Sequence, residues 1–224
     1  ATAQVLANLA EFLVGAGYQV EIVTSRLSSD DSYSNQLAAY EEIEGVKIYR
    51  VLTTSLGEKA IIGRAVDYIS FYISAAYRLL HVVHRGDIVV AKTDPPLICI
   101  LVYLVVKLKR AKQVNWIQDL FPEVAHGLGI RVPIISRLLR WPRNLVFRRS
   151  AANVTIGKQM RQRVISITND SPPTEIIENW VVAPNVQPLS ADKNALYPEW
   201  GLEGKFVVGY SGNLGRAHDI NTIL

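Results

Sequence analysis

The chain of 224 residues carries 24 Lys and Arg against 20 Asp and Glu, a formal charge of +4. With 49% apolar and 20% charged residues it has a globular composition, which excludes global disorder and bounds the chain to one large or two small domains. One cysteine excludes an intrachain disulfide.

The pattern alternates helix and strand. Ala3–Ala16 carries Val5, Leu6, Leu9, Phe12 and Leu13 at helical spacing, and Gly15 and Gly17 end it. Tyr18–Thr24 reads as a strand, Leu27–Tyr40 as a polar loop, and Val46–Val51 as a second strand after Gly45. Ile62–Val83 is a long helix. Asp87–Ala91 is a short apolar strand of the kind found in parallel sheets covered on both faces. Pro96–Lys109 then reads as a helix, Gln113–Gln118 as a strand, and Ile134–Arg149 as a basic helix. Ala152–Ile156, Lys158–Ile167 and Glu175–Glu178 continue as strand, helix and strand. Alternation of this kind implies βαβ crossovers and an α/β, doubly wound parallel sheet.

Trp180–Trp200 contains Pro184, Pro188 and Pro198 with little periodicity and reads as a connection. Lys205–Tyr210 is then an apolar strand, followed by Ser211–Gly215 and a helix start at Asp219. The chain opens directly on a helix, whereas a doubly wound domain begins with a strand that lies centrally in its sheet. The expectation is a fragment lacking sequence at both ends.

In open parallel sheets ligands bind beyond the carboxyl ends of the strands. Three loops fall there. In the first, Thr93 and Asp94 lie between a strand and a helix; Asp94 either caps that helix or faces a ligand. In the second, Gln118 and Asp119 end a strand, and the Asp119 carboxylate either accepts a hydrogen bond from a substrate hydroxyl or caps the next turn. Glu123 and His126 follow; a lone loop histidine is either a surface residue or a catalyst. In the third, Ser211–Arg216 follows a strand and opens a helix. Glycines there let a phosphate approach free N–H groups, although the turn also fits an ordinary strand-to-helix connection. No zinc spacing, Ser/His/Asp arrangement or nucleophile elbow is present. No metal or cofactor is expected.

The net charge hides an asymmetry. Leu101–Ile165 holds 13 basic and 2 acidic residues, while the remainder holds 11 basic and 18 acidic. Arg131, Arg137, Arg140, Arg143, Arg148 and Arg149 flank Trp141. They form either a solvated helix face or a patch for anionic lipid headgroups, the latter taken as Arg137, Arg140, Trp141, Arg143 and Arg148. No basic residue precedes the apolar stretch of Ala1–Ala16, so no signal peptide is expected. No run reaches the ~18–20 apolar residues of a bilayer span.

Five stretches in order resemble glycosyltransferase family 4, in particular members that build O-antigen, colanic-acid and capsular sugars. Leu9–Thr24 is similar to the helix and strand that follow the family's first glycine loop, and Gly45–Val51 to its next strand. Val114–Glu123 resembles an Ile-Gln-Asp-Leu-x-Pro-Glu motif, Glu178–Val181 an Asn-Trp hinge, and Phe206–Arg216 the first strand and phosphate loop of the second domain. The resemblance implies the N-terminal half of a GT-B fold, two Rossmann-like domains facing across a cleft. It further implies metal-independent sugar transfer with retention, from a nucleotide-sugar donor to a glycan or polyprenyl-diphosphate-linked acceptor. Gly212, Asn213, Gly215 and Arg216 would contact the donor diphosphate. Asp119, Gln118 and the loop with Thr93 and Asp94 would line the acceptor side, with Glu123 and His126.

On this reading residues 1–179 form the acceptor-side domain, 180–204 the connection, and 205–224 the beginning of a donor domain. The chain departs from the family at Gln118, where many members have histidine, and at Val182, where the hinge usually ends in Asp. The expectation is that this stretch by itself does not transfer sugar, that the parent enzyme is cytoplasmic and peripheral on the inner membrane face, and that Lys205–Tyr210 fills the missing first-strand position. A sugar-nucleotide epimerase and a basic nucleic-acid module are the competing classes; no nucleic-acid motif supports the second.

Overall fold

The computed structural model describes residues 2–27, 37–56, 61–127, 133–180, 189–190 and 193–210; it does not describe the side chains of residues 2, 61, 62, 126 and 133–135. The chain divides into two compact units, Ala1–Trp180 and Val181–Leu224.

The first unit is an α/β fold. It runs α1 (Thr2–Gly15), β1 (Val20–Ser25), β2 (Tyr40–Ile43), β3 (Val46–Val51), α2 (Ile61–Val82), β4 (Ile88–Lys92) and α3 (Ile98–Lys109). It continues with β5 (Lys112–Ile117), α4 (Glu123–Gly127), α5 (Pro133–Arg149), β6 (Ala152–Thr155), α6 (Lys158–Thr168) and β7 (Thr174–Ile176). Strands β4, β5, β6 and β7 pair in that order, all parallel. This is the Rossmann-like parallel sheet that the alternation predicts.

Strands β1, β3 and β2 form a separate sheet, with β1 and β3 parallel and β2 antiparallel. No described strand joins β1 to β4, and this is where a doubly wound order places its central strand. Lys205–Tyr210 is not a strand: it pairs in no sheet, and Phe206 is 95% exposed. An apolar run becomes a strand only where a neighbouring edge offers its hydrogen bonds, and none of the described strands pairs with 205–210.

Two elements of the first unit were not foreseen. Tyr40–Ile43, of which only Tyr40 fell within the predicted loop Leu27–Tyr40, forms a hairpin with β3. The hairpin turns through Glu44 (φ 49°) and Gly45 (φ 77°), both left-handed, as a two-residue primed turn requires. A Cβ on Gly45 would also lie 3.0 Å from the Val14 side chain of α1. The other is the short helix α4.

The main core lies between the parallel sheet and helices α2, α3, α5 and α6. Val102, Val105, Val106, Ile117, Val146, Phe147 and Val164 are buried there. Crossing it is a buried polar chain. Gln113 Nε2 donates to Cys99 O (3.0 Å) and Asn115 Oδ1 (2.6 Å), and Asn115 Nδ2 donates to Ser150 Oγ and Asn153 Oδ1 (both 2.8 Å). Asn153 Nδ2 closes it onto Phe147 O (3.1 Å). Buried amides persist only when bonded in this way, and these bonds lock α3 and α5 onto one face of the sheet. Right-handed crossovers between neighbouring parallel strands give the same placement. The second unit contains the one-turn helix α7 (Leu196–Glu199), inside the stretch read as a connection.

Candidate active site at the carboxyl edge of the parallel sheet

The loops after β4 and β5 are tied by one hydroxyl. Thr93 Oγ1 accepts the backbone N–H of Gln118 (2.9 Å) and of Asp119 (3.2 Å), while the Thr93 N–H donates to Trp116 O (3.2 Å). Thr93, Gln118 and Asp119 are therefore brought together, as their positions after adjacent parallel strands dictate. Thr93, Asp119, Pro96, Leu97, Phe121 and Arg143 border a shallow depression at this edge.

Both aspartates are exposed. Asp94 does not cap α3: the cap residue is Leu97, in a left-handed conformation with no side-chain cap. Asp119 makes no side-chain hydrogen bond among the described residues, so it does not cap the following turn. Of the two roles open to each from sequence, capping drops out; Asp119 remains as a solvent-facing carboxylate at the border of the depression, and Asp94 is exposed without lining it.

A second segment reaches this edge from far along the chain. Asn179 Nδ2 donates to Gln118 Oε1 (3.0 Å), and the Trp180 indole stacks on Trp116, with centroids 5.9 Å apart and planes at 7°. Lys92 Nζ lies 5.2 Å from the centroid of the Trp116 ring. Burial lowers the Lys92 ammonium below the usual lysine value, against the opposing pull of Asp94. Gln118 Nε2 is buried without a partner among the described residues. The Ile-Gln-Asp and Asn-Trp stretches, 61 positions apart, are thus one site. Lys92 lies in the loop from Lys92 to Pro96 expected on the acceptor side, and Trp116 and Trp180 lie within the quoted motifs, but their stacking was not foreseen, because no spacing rule reports that residues 64 apart stack.

Arg143 requires correction, and Glu123 is its partner. Glu123 was expected in the cleft and Arg143 in an exposed patch. Instead Arg143 is buried at 2% exposure and forms a bidentate pair with Glu123, through Nη1 to Oε2 and Nη2 to Oε1 (3.0 Å). Arg143 also donates to Phe121 O (2.9 Å) and Asn144 Oδ1 (2.7 Å). Arg140 Nε adds a second ion pair to Glu123 at 3.4 Å. Burial raises the Glu123 carboxyl, but the Arg143 hydrogen bonds and the two positive charges outweigh it, leaving it below the usual carboxylate value. A buried charge must be paired, and the Glu123 carboxylate supplies the partner, holding the Asp119–Glu123 loop against α5.

The remaining patch residues are Arg137 and Trp141, both exposed, and Arg148, exposed with Nε donating to Ile167 O (2.7 Å). Arg131 and the candidate phosphate residues Gly212, Asn213, Gly215 and Arg216 lie outside the described residues. His126 is placed in α4 by its backbone alone. Cys99 is buried as expected, and burial pushes its thiol up to about 12. Among the described residues no three His, Cys, Asp or Glu side chains gather as a metal site. No described helix is long and apolar enough to cross a membrane.

A parallel α/β domain with polar loops converging at its carboxyl edge is the architecture of a nucleotide- or sugar-handling enzyme half. Residues 1–180 match the glycosyl transferase 4-like domain, and the chain belongs to that family. It is also 31% identical over 144 residues to the probable glycosyltransferase WbjE of Pseudomonas aeruginosa. That match covers 62% of this chain and 36% of the relative, so the chain spans little more than a third of that protein's length.

Proposed function

We propose that residues 1–179 form the acceptor-binding domain of a glycosyltransferase, joined through 180–204 to a donor domain that begins at 205–224. The whole enzyme would move a sugar, with retention, from a nucleotide-sugar donor to a polyprenyl-diphosphate-linked glycan in surface polysaccharide synthesis. It would work as a peripheral enzyme at the inner face of the cytoplasmic membrane. By itself this stretch would not transfer sugar. The observation that carries the reading is the junction of Thr93, Gln118, Asp119 and Asn179 at one sheet edge in a chain of this family.

Asp119 is the one carboxylate among these four groups, and its oxygens accept no hydrogen bond among the described residues. It would take the hydrogen bond, and as transfer proceeds the proton, of the incoming hydroxyl. Thr93 would hold its backbone in place. Gly212, Asn213, Gly215 and Arg216 would hold the donor diphosphate through backbone N–H groups and the guanidinium. No metal takes part in this scheme.

The test is sugar transfer by the intact enzyme to a short-chain polyprenyl-diphosphate acceptor. Asp119→Asn is expected to lower kcat by about 10²–10³ with little change in donor KM. Thr93→Ala is expected to raise acceptor KM, because the Gln118 and Asp119 N–H groups lose their anchor. Full activity in Asp119→Asn would overturn the role given to that residue.

A further inference from the structure

No described side chain holds the Asp119 carboxylate, so its position follows from its own backbone and from its neighbour Gln118. The backbone is held from the loop after β4. Thr93 Oγ1 accepts the N–H of Gln118 at 2.9 Å and that of Asp119 at 3.2 Å. Those two bonds use both lone pairs of the hydroxyl, and neither fixes the Gln118 side chain. That side chain is held by Asn179, whose Nδ2 donates to Oε1 at 3.0 Å. The next residue, Trp180, stacks on Trp116. Trp116 is a fixed wall: it is buried at 3% exposure and pairs in register with Lys92 of β4. Asn179 and Trp180 thus grip the residues on either side of Ile117, at the end of β5.

The path to these contacts is taut. The Ile177 N–H donates to Thr155 O at 2.9 Å, which keeps the chain after β7 beside β6. Strand β7 lies two places from β5 in the sheet. Neighbouring strands are about 4.8 Å apart, so the chain must cross roughly 10 Å of sheet edge to reach Gln118. The three steps from Ile176 to Asn179 span about 10 Å when fully extended. The segment therefore turns at once across the end of β6 and arrives with little slack. Trp180 is also the last residue of the first unit, so this is where the chain leaves it. Asn179 is exposed, and a neutral hydrogen bond open to water adds little to stability. Its effect lies in where it holds Gln118.

We propose that Asn179 and Trp180 are positioning residues for sugar transfer, which hold the Gln118–Asp119 turn in place, Asn179 through the Gln118 amide and Trp180 through the Trp116 ring. This rests on the role given to Asp119 and goes beyond it, because the rate then depends on a residue 61 positions from Gln118 that is neither acid, base nor ligand.

The experiment is a double-mutant cycle in the intact enzyme, assayed with the short-chain polyprenyl-diphosphate acceptor, together with hydrogen exchange. Asn179→Ala is expected to lower kcat by about 10-fold with donor KM unchanged. Added to Gln118→Ala, it is expected to cause no further loss, because it acts only through that amide. Trp180→Ala is expected to lower kcat by a similar factor, and Trp180→Phe, which keeps a ring on Trp116, to restore most of it. Losses that multiply in the cycle, or a raised donor KM at unchanged kcat, overturn the proposal. Hydrogen exchange needs no acceptor. In Asn179→Ala the Gln118 and Asp119 amides are expected to exchange at least ~5-fold faster, with the amides of β6 unchanged. Unchanged exchange at Gln118 and Asp119 overturns the proposal even where no transfer is detected. Faster exchange throughout the sheet also overturns it, since the segment would then be a general brace. Full activity in Asp119→Asn removes the proton-accepting role alone; a coupled cycle with faster exchange still upholds the positioning of the turn.

Discussion

Glu123→Gln isolates the one buried ion pair that shapes the candidate site. The variant keeps the size of the side chain and one acceptor, but leaves the Arg143 guanidinium, 2% exposed, without its bidentate counter-charge. Removing one partner of a fully buried pair costs about 3–5 kcal/mol. The Glu123 side chain is 21% exposed and Asn144 and Phe121 O still receive Arg143, so the expected loss is the smaller figure of about 2–3 kcal/mol. For a chain of this size that lowers Tm by roughly 4–12 °C. The pH dependence has a definite sign. The folded Glu123 carboxyl titrates below its unfolded value, so its contribution is present above the unfolded value of ~4.3 and is lost as pH falls through the folded value. The gap between wild type and variant should hold at neutral pH and close in acid. Urea unfolding across pH, followed by circular dichroism, measures it. Adding Arg143→Met, which removes the stranded charge, should recover most of the loss, giving a double variant within about 1 kcal/mol of wild type. A Glu123→Gln variant within ~0.5 kcal/mol of wild type at neutral pH would refute the reasoning, as would a gap that persists unchanged in acid.

Gly45→Ala tests the unforeseen hairpin: a side chain at φ 77° and 3.0 Å from Val14 Cγ1 is expected to cost about 1–3 kcal/mol, read as a lower urea midpoint with unchanged m-value, and a neutral result would reject the primed turn. Cys99 should not react with a thiol reagent in the native chain at neutral pH, because the thiol is buried and raised to about 12, and should react at once in denaturant; rapid native labelling would contradict the core placement.

What could be read from sequence follows from local rules. The helix and strand periods locate every long element from α1 to α6, because the apolar stripe of each is set by its own spacing. The hairpin strand β2 escaped, since Tyr40–Ile43 contains two glutamates and is held by cross-strand bonds to β3 rather than by its own pattern. The same logic undid Lys205–Tyr210, whose residues favour a strand but which pairs with no described strand. At the site, Thr93, Gln118 and Asp119 were legible because ends of adjacent parallel strands are fixed by the fold class.

The sequence by itself determined the alternation, the family motifs and the excess of cations in one segment. Only the tertiary structure decided how those cations are used. Arg143 and Trp141 are two residues apart on one helix, and a charge count does not separate them. Packing turns Arg143 inward onto Glu123, 20 residues away, and leaves Trp141 72% exposed. Burial and pairing depend on distances between segments, and those are set only when the layers close.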